Sequence, residues 1–226
     1  MAAFEAWWAE HGASITGLTG NGSRLTQLRD ELLGSFTAVL EPTAMLDRFA
    51  VRGIIAGFWF DNKNEFRTLQ ARGCLGVVDA WRTSIVSLLE DEQSKANPLD
   101  HHLVHFLLEE YVAELEELAA RKAELDAQIK AAEAKPESDD GDDSEASDDD
   151  DAPTPVQLKA WKSQRTQVRK QHKAKVASFE THLNAAVDAL DEPAAAKLVG
   201  DILHNDLKGI LERYIRQQRQ QVIAAF

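Results

Sequence analysis

A seven-residue apolar repeat in the middle of the sequence limits what this chain can fold into more than any other feature. Its inner positions step alternately by three and four residues, with one polar interruption at Lys122. These positions are Leu108, Tyr111, Leu115, Leu118, Lys122, Leu125, Ile129 and Ala132. The alternation is typical of helices that pack as coiled coils. Because Pro98 precedes the repeat and Pro136 follows it, the pattern predicts one long helix over 98–134.

A second apolar stripe follows Pro155 and predicts another long helix over about 155–190. Two successive four-residue steps around His172 resemble a stutter in a heptad pattern. The stripe consists of Leu158, Trp161, Arg165, Val168, His172, Val176, Phe179, Leu183, Val187 and Leu190. Two long helices joined by one connection can fold back on each other as an antiparallel hairpin. The pairing could form within one chain or across a dimer, because the heptad seam allows both.

The connection between the two long helices is strongly acidic. Residues 137–151 contain ten acidic side chains and no basic one, whereas the whole chain has a net charge of −13 from 38 acidic and 25 basic residues. The remainder of the chain is therefore close to neutral. A segment with so much charge and so few apolar groups cannot offset its ordering entropy, so we predict a disordered linker over 136–154. The alternative is an acidic patch that mimics DNA or attracts metal ions, which would need a fixed geometry.

The first 96 residues predict a helical subdomain with an aromatic core. Apolar residues after Pro42, Phe49 among them, recur at helical spacing, and Gly73 and Gly76 indicate a turn. The run Phe58–Trp59–Phe60 could stack a nucleic-acid base. Burial in the core is the favoured interpretation, because the alternate neighbours are also apolar.

These patterns together predict an all-α fold. The expected parts are a helical subdomain with an aromatic core (1–96), a long helix (97–135), the acidic disordered linker (136–154), and a second long helix with C-terminal helices (155–226). The two long helices form a long antiparallel helical hairpin that resembles a coiled coil. The C-terminal helices are expected as a pair after Pro193.

Motifs that carry chemistry are absent from the sequence. It contains no glycine-rich phosphate loop, no nucleophile elbow and no zinc-protease motif. The single cysteine, Cys74, excludes a disulfide framework, fits a reducing cytoplasm and is expected to pack as a small apolar side chain. A helix would place His101 and His105 on one face as two metal ligands, but no third ligand is specified, which favours solvated or capping histidines. No apolar stretch reaches the roughly 18 residues that a membrane span requires.

A basic stretch occupies the second long helix. Residues 156–179 contain no acidic side chain. Candidate contacts to the DNA backbone on this stretch are Lys159, Lys162, Arg165, Arg169, Lys170 and Lys173. The same charges could instead form a solvated face opposite the many glutamates of the first long helix. The complementary signs of the two helices favour this second interpretation.

Four segments follow one another along the chain in an order that is known from another protein family. They read FEAWWAEH at 4–11, LDRFAVRGIIAGFWFDNKNEFRTLQARG at 46–73, HHLVHFLLEEYVAELEELAARKAELDAQIKAAEA at 101–134 and DILHNDLKGILERYIRQQRQQVIAAF at 201–226. This ordered set resembles the region that follows the catalytic domain in methylation subunits of type I restriction–modification systems, which are adenine-N6 DNA methyltransferases. The resemblance implies a helical tail that packs against the DNA-specificity subunit and neighbouring methylation subunits.

No position of this chain corresponds to a catalytic residue of that family. The glycine motif that binds the cofactor is missing, and Asn97-Pro98-Leu99 is not the Asn-Pro-Pro-aromatic signature that holds a flipped adenine. We therefore expect that this chain alone is not an enzyme and binds no cofactor. S-adenosylmethionine is expected in a catalytic domain that this chain lacks, so the chain is either part of a longer enzyme or a split subunit.

Long heptad helices without reactive groups predict a non-catalytic assembly module in the cytoplasm. It would dock the methylation subunit on the specificity subunit and other proteins of the methylation complex, with DNA contacted through that complex and no membrane partner. The expected partner-binding residues are Leu108, Tyr111, Leu115, Leu118, Leu125, Ile129, Trp161, Val168, Phe179, Leu183 and Tyr214. The alternatives are a module that binds the DNA backbone through the basic helix, a stand-alone coiled-coil scaffold, and a stand-alone enzyme with a metal at His101 and His105.

Overall fold

The structure is a computed structural model that describes residues 1–18, 25–91, 93–134 and 154–224. Within these ranges every regular element is a helix, which confirms the all-α prediction. The α-helices are α1 (Ala2–Thr16), α2 (Leu25–Leu40), α3 (Arg48–Asp61), α4 (Lys63–Glu90), α5 (His102–Leu107), α6 (Glu109–Ala134), α7 (Pro155–Ala177), α8 (Phe179–Asp188) and α9 (Glu192–Ala224). Short 3₁₀ turns lie at Glu41–Thr43 and Pro98–Asp100. The disordered linker predicted over 136–154 lies outside the described residues except for Thr154.

The described contacts divide the chain into two compact units. The first unit combines Met1–Leu107 with Asn184–Phe226, and the second consists of Leu108–Leu183. In the first unit α9 packs on α1, α3 and α4, while α2 packs on α1 and α3. The last helix of the chain is therefore part of the core of the N-terminal helices.

The core of the first unit is built on large apolar side chains that are fully buried. The largest include Trp7, Phe4, Phe36, Phe58 and Phe66. Helix α9 supplies an apolar stripe with near-regular spacings of three and four residues, consisting of Ala195, Val199, Ile202, Leu203, Leu207 and Leu211. This spacing keeps one face of a helix toward its neighbours over four turns, which explains why α9 can contact α1, α3, α4 and also α5.

Polar contacts cap the start of α3 and join α1 to α2 and to α9. Asp47 caps α3, because its Oδ1 accepts hydrogen bonds from the backbone N–H of Phe49 at 2.8 Å and of Ala50 at 2.9 Å. The indole N–H of Trp7 donates to Ser35 Oγ of α2 at 2.9 Å. His204 Nε2 of α9 lies 2.9 Å from Glu5 Oε2 of α1.

The second unit consists mainly of α6 and α7, which pack on each other. Helix α7 begins with a capping box, in which Thr154 Oγ1 accepts from Gln157 N at 3.3 Å and Gln157 Oε1 accepts from Thr154 N at 2.7 Å. Pro155 occupies the first helical position, where its missing N–H has no cost. The predicted start of this helix is therefore confirmed.

Both predicted long helices are divided in the structure. The segment 98–134 consists of a 3₁₀ turn, α5 and α6 with a bend at Leu108, and the segment 155–190 is interrupted at Ser178. The prediction of two C-terminal helices is also wrong, because a single helix of 33 residues, α9, takes their place. Its two glycines have ordinary helical backbone and do not end it; at Gly209, no described atom lies within 4 Å of where a Cβ would stand.

The turn predicted at the glycines after residue 70 is confirmed at Gly73. This buried glycine has φ 72° and ψ −172° inside α4, where it separates two helical stretches. An L-residue rarely adopts that backbone conformation, because its Cβ would clash with the neighbouring carbonyl. The direction of the second half of α4 therefore depends on a glycine at this position.

We predict that Gly73→Ala lowers the free energy of unfolding by about 1–3 kcal/mol, because alanine must adopt a strained backbone. Gly209→Ala is the matched control. It lies in a helix with open space around it, so alanine should be neutral or stabilising by up to about 1 kcal/mol. Urea denaturation followed by circular dichroism measures both. Equal stability of the two variants would contradict the prediction.

Candidate functional site

The heptad residues expected to bind a partner lie mainly inside the second unit. Buried members are Tyr111, Leu115, Leu125, Ile129, Phe179 and Leu183, and half-buried members are Leu108, Leu118, Trp161 and Val168. Lys122, the polar interruption, is exposed. Tyr214 lies apart from these residues on α9 and is 37% exposed. The apolar seam of α6 is therefore largely covered by its own unit, and the role of these residues toward a partner stays a prediction.

Opposite charges line the contact between α6 and α7. Lys162 Nζ lies 2.8 Å from Glu133 Oε1, Arg165 Nη1 lies 3.4 Å from Asp126 Oδ1, and Lys175 pairs with Glu114. As the residue numbers rise along α6 they fall along α7, so the two helices run antiparallel. The hydrogen bond from Lys162, together with its charge, lowers the pKa of the Glu133 carboxyl below its usual value.

Of the six candidate DNA contacts, two are engaged in these ion pairs. Lys162 and Arg165 face acidic residues of α6. The other four, Lys159, Arg169, Lys170 and Lys173, are exposed and lie outside the ion pairs formed by the described residues. These two pairs agree with the interpretation in which basic side chains of α7 face acidic side chains of α6.

Tyr111 of α6 lies at the interruption between α7 and α8. Its hydroxyl donates to the backbone carbonyl of Lys175 and lies 3.3 Å from Ser178 Oγ. The Lys175 ammonium sits 4.7 Å from the centre of the Tyr111 ring, within the range of a cation–π contact. The Lys175 carbonyl also accepts from the backbone N–H of Ser178 at 3.0 Å and from its hydroxyl at 2.9 Å, so Tyr111 adds a donor from another helix at the end of α7.

We predict that Tyr111→Phe destabilises the chain by about 0.5–1.5 kcal/mol, because it leaves the Lys175 carbonyl without this partner while the ring stays buried. Tyr214→Phe is the control, since that tyrosine is far more exposed. The midpoint of thermal unfolding measures both. A Tyr214 variant that is destabilised as much as the Tyr111 variant would show that the hydroxyl contact has no special importance.

Helix α3 presents an apolar face to solvent. Phe49 is 84% exposed and Phe60 is 74% exposed, so the expectation that Phe60 belongs to the core is wrong. Phe58 between them is fully buried, and Trp59 is half-buried with its ring stacked on Phe66 at 4.5 Å between ring centres. The predicted aromatic core is therefore only partly confirmed, because α3 has one buried and one exposed aromatic face.

The exposed face of α3, which we call the Phe49–Phe60 face, runs along about three turns. Eleven residues at 100° each bring Phe60 almost directly over Phe49, about 16 Å along the helix axis. Gly53 and Ala56 lie between the two rings and are exposed, and no described atom comes within 4 Å of where a Cβ on Gly53 would stand. The face therefore has an aromatic ring at each end and bare backbone in the middle.

An open groove of about 520 Å³ borders this face on the side of α2. Small and polar residues line most of it: Gly34, Thr37 and Ala38 with Leu33 from α2, Arg52 and Ala56 from α3, and Glu41. A helix can approach another most closely where the contacting side chains are small. The α2–α3 surface therefore has the shape that accepts a further helix.

Sequence reasoning missed this face, although one signal was available. Phe49, Gly53, Ala56 and Phe60 recur at helical spacing on a stripe separate from Val51, Ile54, Ile55 and Phe58. A helix with two apolar stripes has more apolar surface than one core can cover. Which of the two stripes is buried depends on the neighbouring helices, and that information is not local.

His101 and His105, the two histidines considered as metal ligands on one helix face, do not belong to one helix in the structure. His105 is exposed on α5, whereas His101 precedes that helix and packs edge-on against the ring of His102 at 4.5 Å. Within the described ranges, no group of three or more His, Cys, Asp or Glu side chains is placed to hold a metal ion. The neighbours that the structure brings together are His101 and His102, beside Trp81.

Burial holds His101 in its neutral form. Desolvation, together with the charge of His102, lowers the pKa of His101 to about 4, although Asp206 opposes the shift. Its Nδ1 accepts a hydrogen bond from the backbone N–H of Leu103 at 3.2 Å, which a neutral ring allows. Protonation of this nitrogen would remove the acceptor at the start of α5.

We predict that His101 makes the chain less stable as the pH falls from about 6.5 towards 4, because in this range the unfolded chain binds a proton that the folded chain does not. Above about pH 6.5 this histidine is neutral in both the folded and the unfolded chain, so it no longer lowers the free energy of unfolding. The unfolding midpoint of His101→Asn should fall less steeply over the range than that of the original chain. His105→Asn, at an exposed position, is the control and should retain the original slope.

Cys74 packs as the sequence predicts. It is buried in α4, and burial, with a smaller effect of the Glu192 charge, raises the pKa of its thiol to about 11. Its Sγ lies 3.6 Å from the carbonyl oxygen of Thr16. A thiol with this pKa is an unreactive nucleophile near neutral pH.

No protein-family model, curated protein or solved structure matches this chain. In the part of the chain that the structure describes, none of the helices has the length and apolar character needed to cross a membrane.

Proposed function

We propose that this chain is a non-catalytic assembly module of a type I restriction–modification DNA methyltransferase. It would dock the methylation subunit on the specificity subunit and thereby support adenine-N6 DNA methylation in the cytoplasm, with S-adenosylmethionine bound in the catalytic domain. The observation that carries the proposal is the exposed Phe49–Phe60 face of α3. This face lies within residues 46–73, one of the segments on which the resemblance to that family rests.

Exposure of two large rings on one helix face favours a protein interface. A single exposed apolar side chain is common on protein surfaces, whereas a continuous apolar face marks a place where another surface binds. Aromatic side chains also dominate the binding energy of many interfaces, because each buries a large apolar area with few rotatable bonds.

The occupant that fits this face best is a helix of the specificity subunit. The bare backbone at Gly53 permits close approach, and the groove between α2 and α3 offers room beside it. Phe49 and Phe60 would enclose about three turns of the docked helix, which should present apolar side chains at three- and four-residue spacing. In this arrangement α2 and α3 form a preformed platform, because both already pack within the first unit.

The proposal predicts that Phe49→Ser or Phe60→Ser weakens assembly with the specificity subunit. Loss of an aromatic anchor of an interface costs about 2 kcal/mol, which is roughly a 30-fold loss in affinity. The experiment is co-purification of the chain with the methylation catalytic domain and the specificity subunit, followed by titration of the purified parts. Since both rings are exposed, neither substitution should lower the unfolding midpoint.

Val156→Ser is the matched control, because this apolar side chain is 78% exposed but lies at the start of α7. It should leave assembly unchanged. Normal assembly of both phenylalanine variants, or equal damage from Val156→Ser, would overturn the proposal that the Phe49–Phe60 face docks the partner.

A further inference from the structure

A cavity of about 340 Å³ opens beside Trp81 in the first unit. Helix α4 supplies most of its wall, including Glu65, Trp81 and Ser84, and His101 and His102 complete it. Trp81 is only 5% exposed, and its ring packs edge-on against His102 at 4.7 Å. The cavity therefore combines a carboxylate, an aromatic wall and two imidazoles.

Glu65 supplies this wall with a hydrogen-bond acceptor that has no donor among the described residues. One of its oxygens, Oε1, accepts from the indole N–H of Trp81 at 3.4 Å. The other, Oε2, is buried and has no hydrogen-bond partner among the described residues. A buried carboxylate oxygen without a hydrogen-bond partner is unfavourable, so a donor that reached it would be bound favourably.

His102 brings a second buried atom without a partner. Its Nδ1 lies 3.4 Å from Asp206 Oδ2 of α9, and a carboxylate in that position favours the proton on Nδ1. When the His102 ring is neutral, this proton assignment leaves a lone pair on Nε2. That nitrogen is buried and meets no hydrogen-bond partner in the described ranges. Both unpartnered atoms of the cavity wall therefore accept hydrogen bonds.

Two acceptors, one of them charged, select a ligand that is both a donor and a cation. An anion would be repelled by Glu65. A structural metal ion would need at least three protein ligands, and the described residues offer no such group. The volume also exceeds that of a single ion and lies near the lower limit for sites that bind small organic molecules.

We propose that this cavity binds a primary alkylammonium group, whose N–H bonds are donated to Glu65 and His102 and whose alkyl chain lies against Trp81 and Val77. The group could belong to a free amine or to a lysine side chain, and the two share this chemistry. Its binding requires a small movement of the wall, because Glu65 Oε2 and His102 Nε2 are both buried. Rotation about the terminal torsion of Glu65, which has a broad minimum, turns that oxygen towards the cavity.

The test uses the full chain labelled with ¹⁵N. Butylammonium chloride is titrated while the indole N–H resonance of Trp81 is followed, assigned by its loss in Trp81→Phe. We expect a saturable shift of this resonance, since the indole N–H donates to Glu65. Butanol, of similar length but without charge, should cause at least 10-fold weaker saturation. Nα-acetyl-lysine methylamide tests the lysine source, and saturation by either amine supports the ammonium chemistry.

Glu65→Gln should weaken butylammonium binding at least 10-fold, whereas Glu90→Gln, at an exposed site on the same helix, should leave it unchanged. Ser84→Leu provides a second variant that keeps the carboxylate but fills the exposed rim of the cavity, with Ser87→Leu as its control. It should also weaken binding at least 10-fold. Absence of a saturable shift, equal binding of butanol, or unchanged binding in the folded Ser84→Leu variant would overturn the proposal.

Discussion

Burial of the α9 stripe against the N-terminal helices α1, α3, α4 and α5 is the interaction on which the first unit depends. Val199, Ile202, Leu203 and Leu207 are fully buried, and each such side chain contributes about 1.5–3 kcal/mol relative to an exposed one. Helix α7 shows the contrast, because none of its residues is buried. Exposed ion pairs such as Lys162 with Glu133 are screened by solvent and cannot replace an apolar core.

The apolar periodicity predicted those parts of the fold that depend on residues close together in the sequence. The heptad placed Tyr111, Leu115, Leu125 and Ile129 on one face of α6, and the structure buries all four. The start of α7 followed from Pro155 and its preceding threonine, because capping chemistry depends only on neighbours in the sequence. All-α architecture followed for the same reason.

Features that depend on distant contacts could not be predicted in this way. The interruption at Ser178 involves neither proline nor glycine and is accompanied by a hydroxyl from Tyr111, 67 residues away. The exposure of Phe60 depends on which neighbours cover α3. His101 could not be placed beside His102 and Trp81 without knowing that α5 begins only at His102. For both proposed sites, the residue types can be read from the sequence, but their spatial arrangement is visible only in the folded chain.

The arrangement of the first unit has a consequence for its synthesis. Helices α1 to α5 leave the ribosome first, and the second unit (108–183) must be translated before α9 follows. At about 5–20 residues per second, the nascent chain exposes the unfilled apolar surface of α1, α3 and α4 for several seconds. The second unit, whose contacts lie within 108–183, can complete its folding during that interval. Chaperones that shield apolar surface should therefore engage this chain while it is still being made, and release it once α9 has emerged.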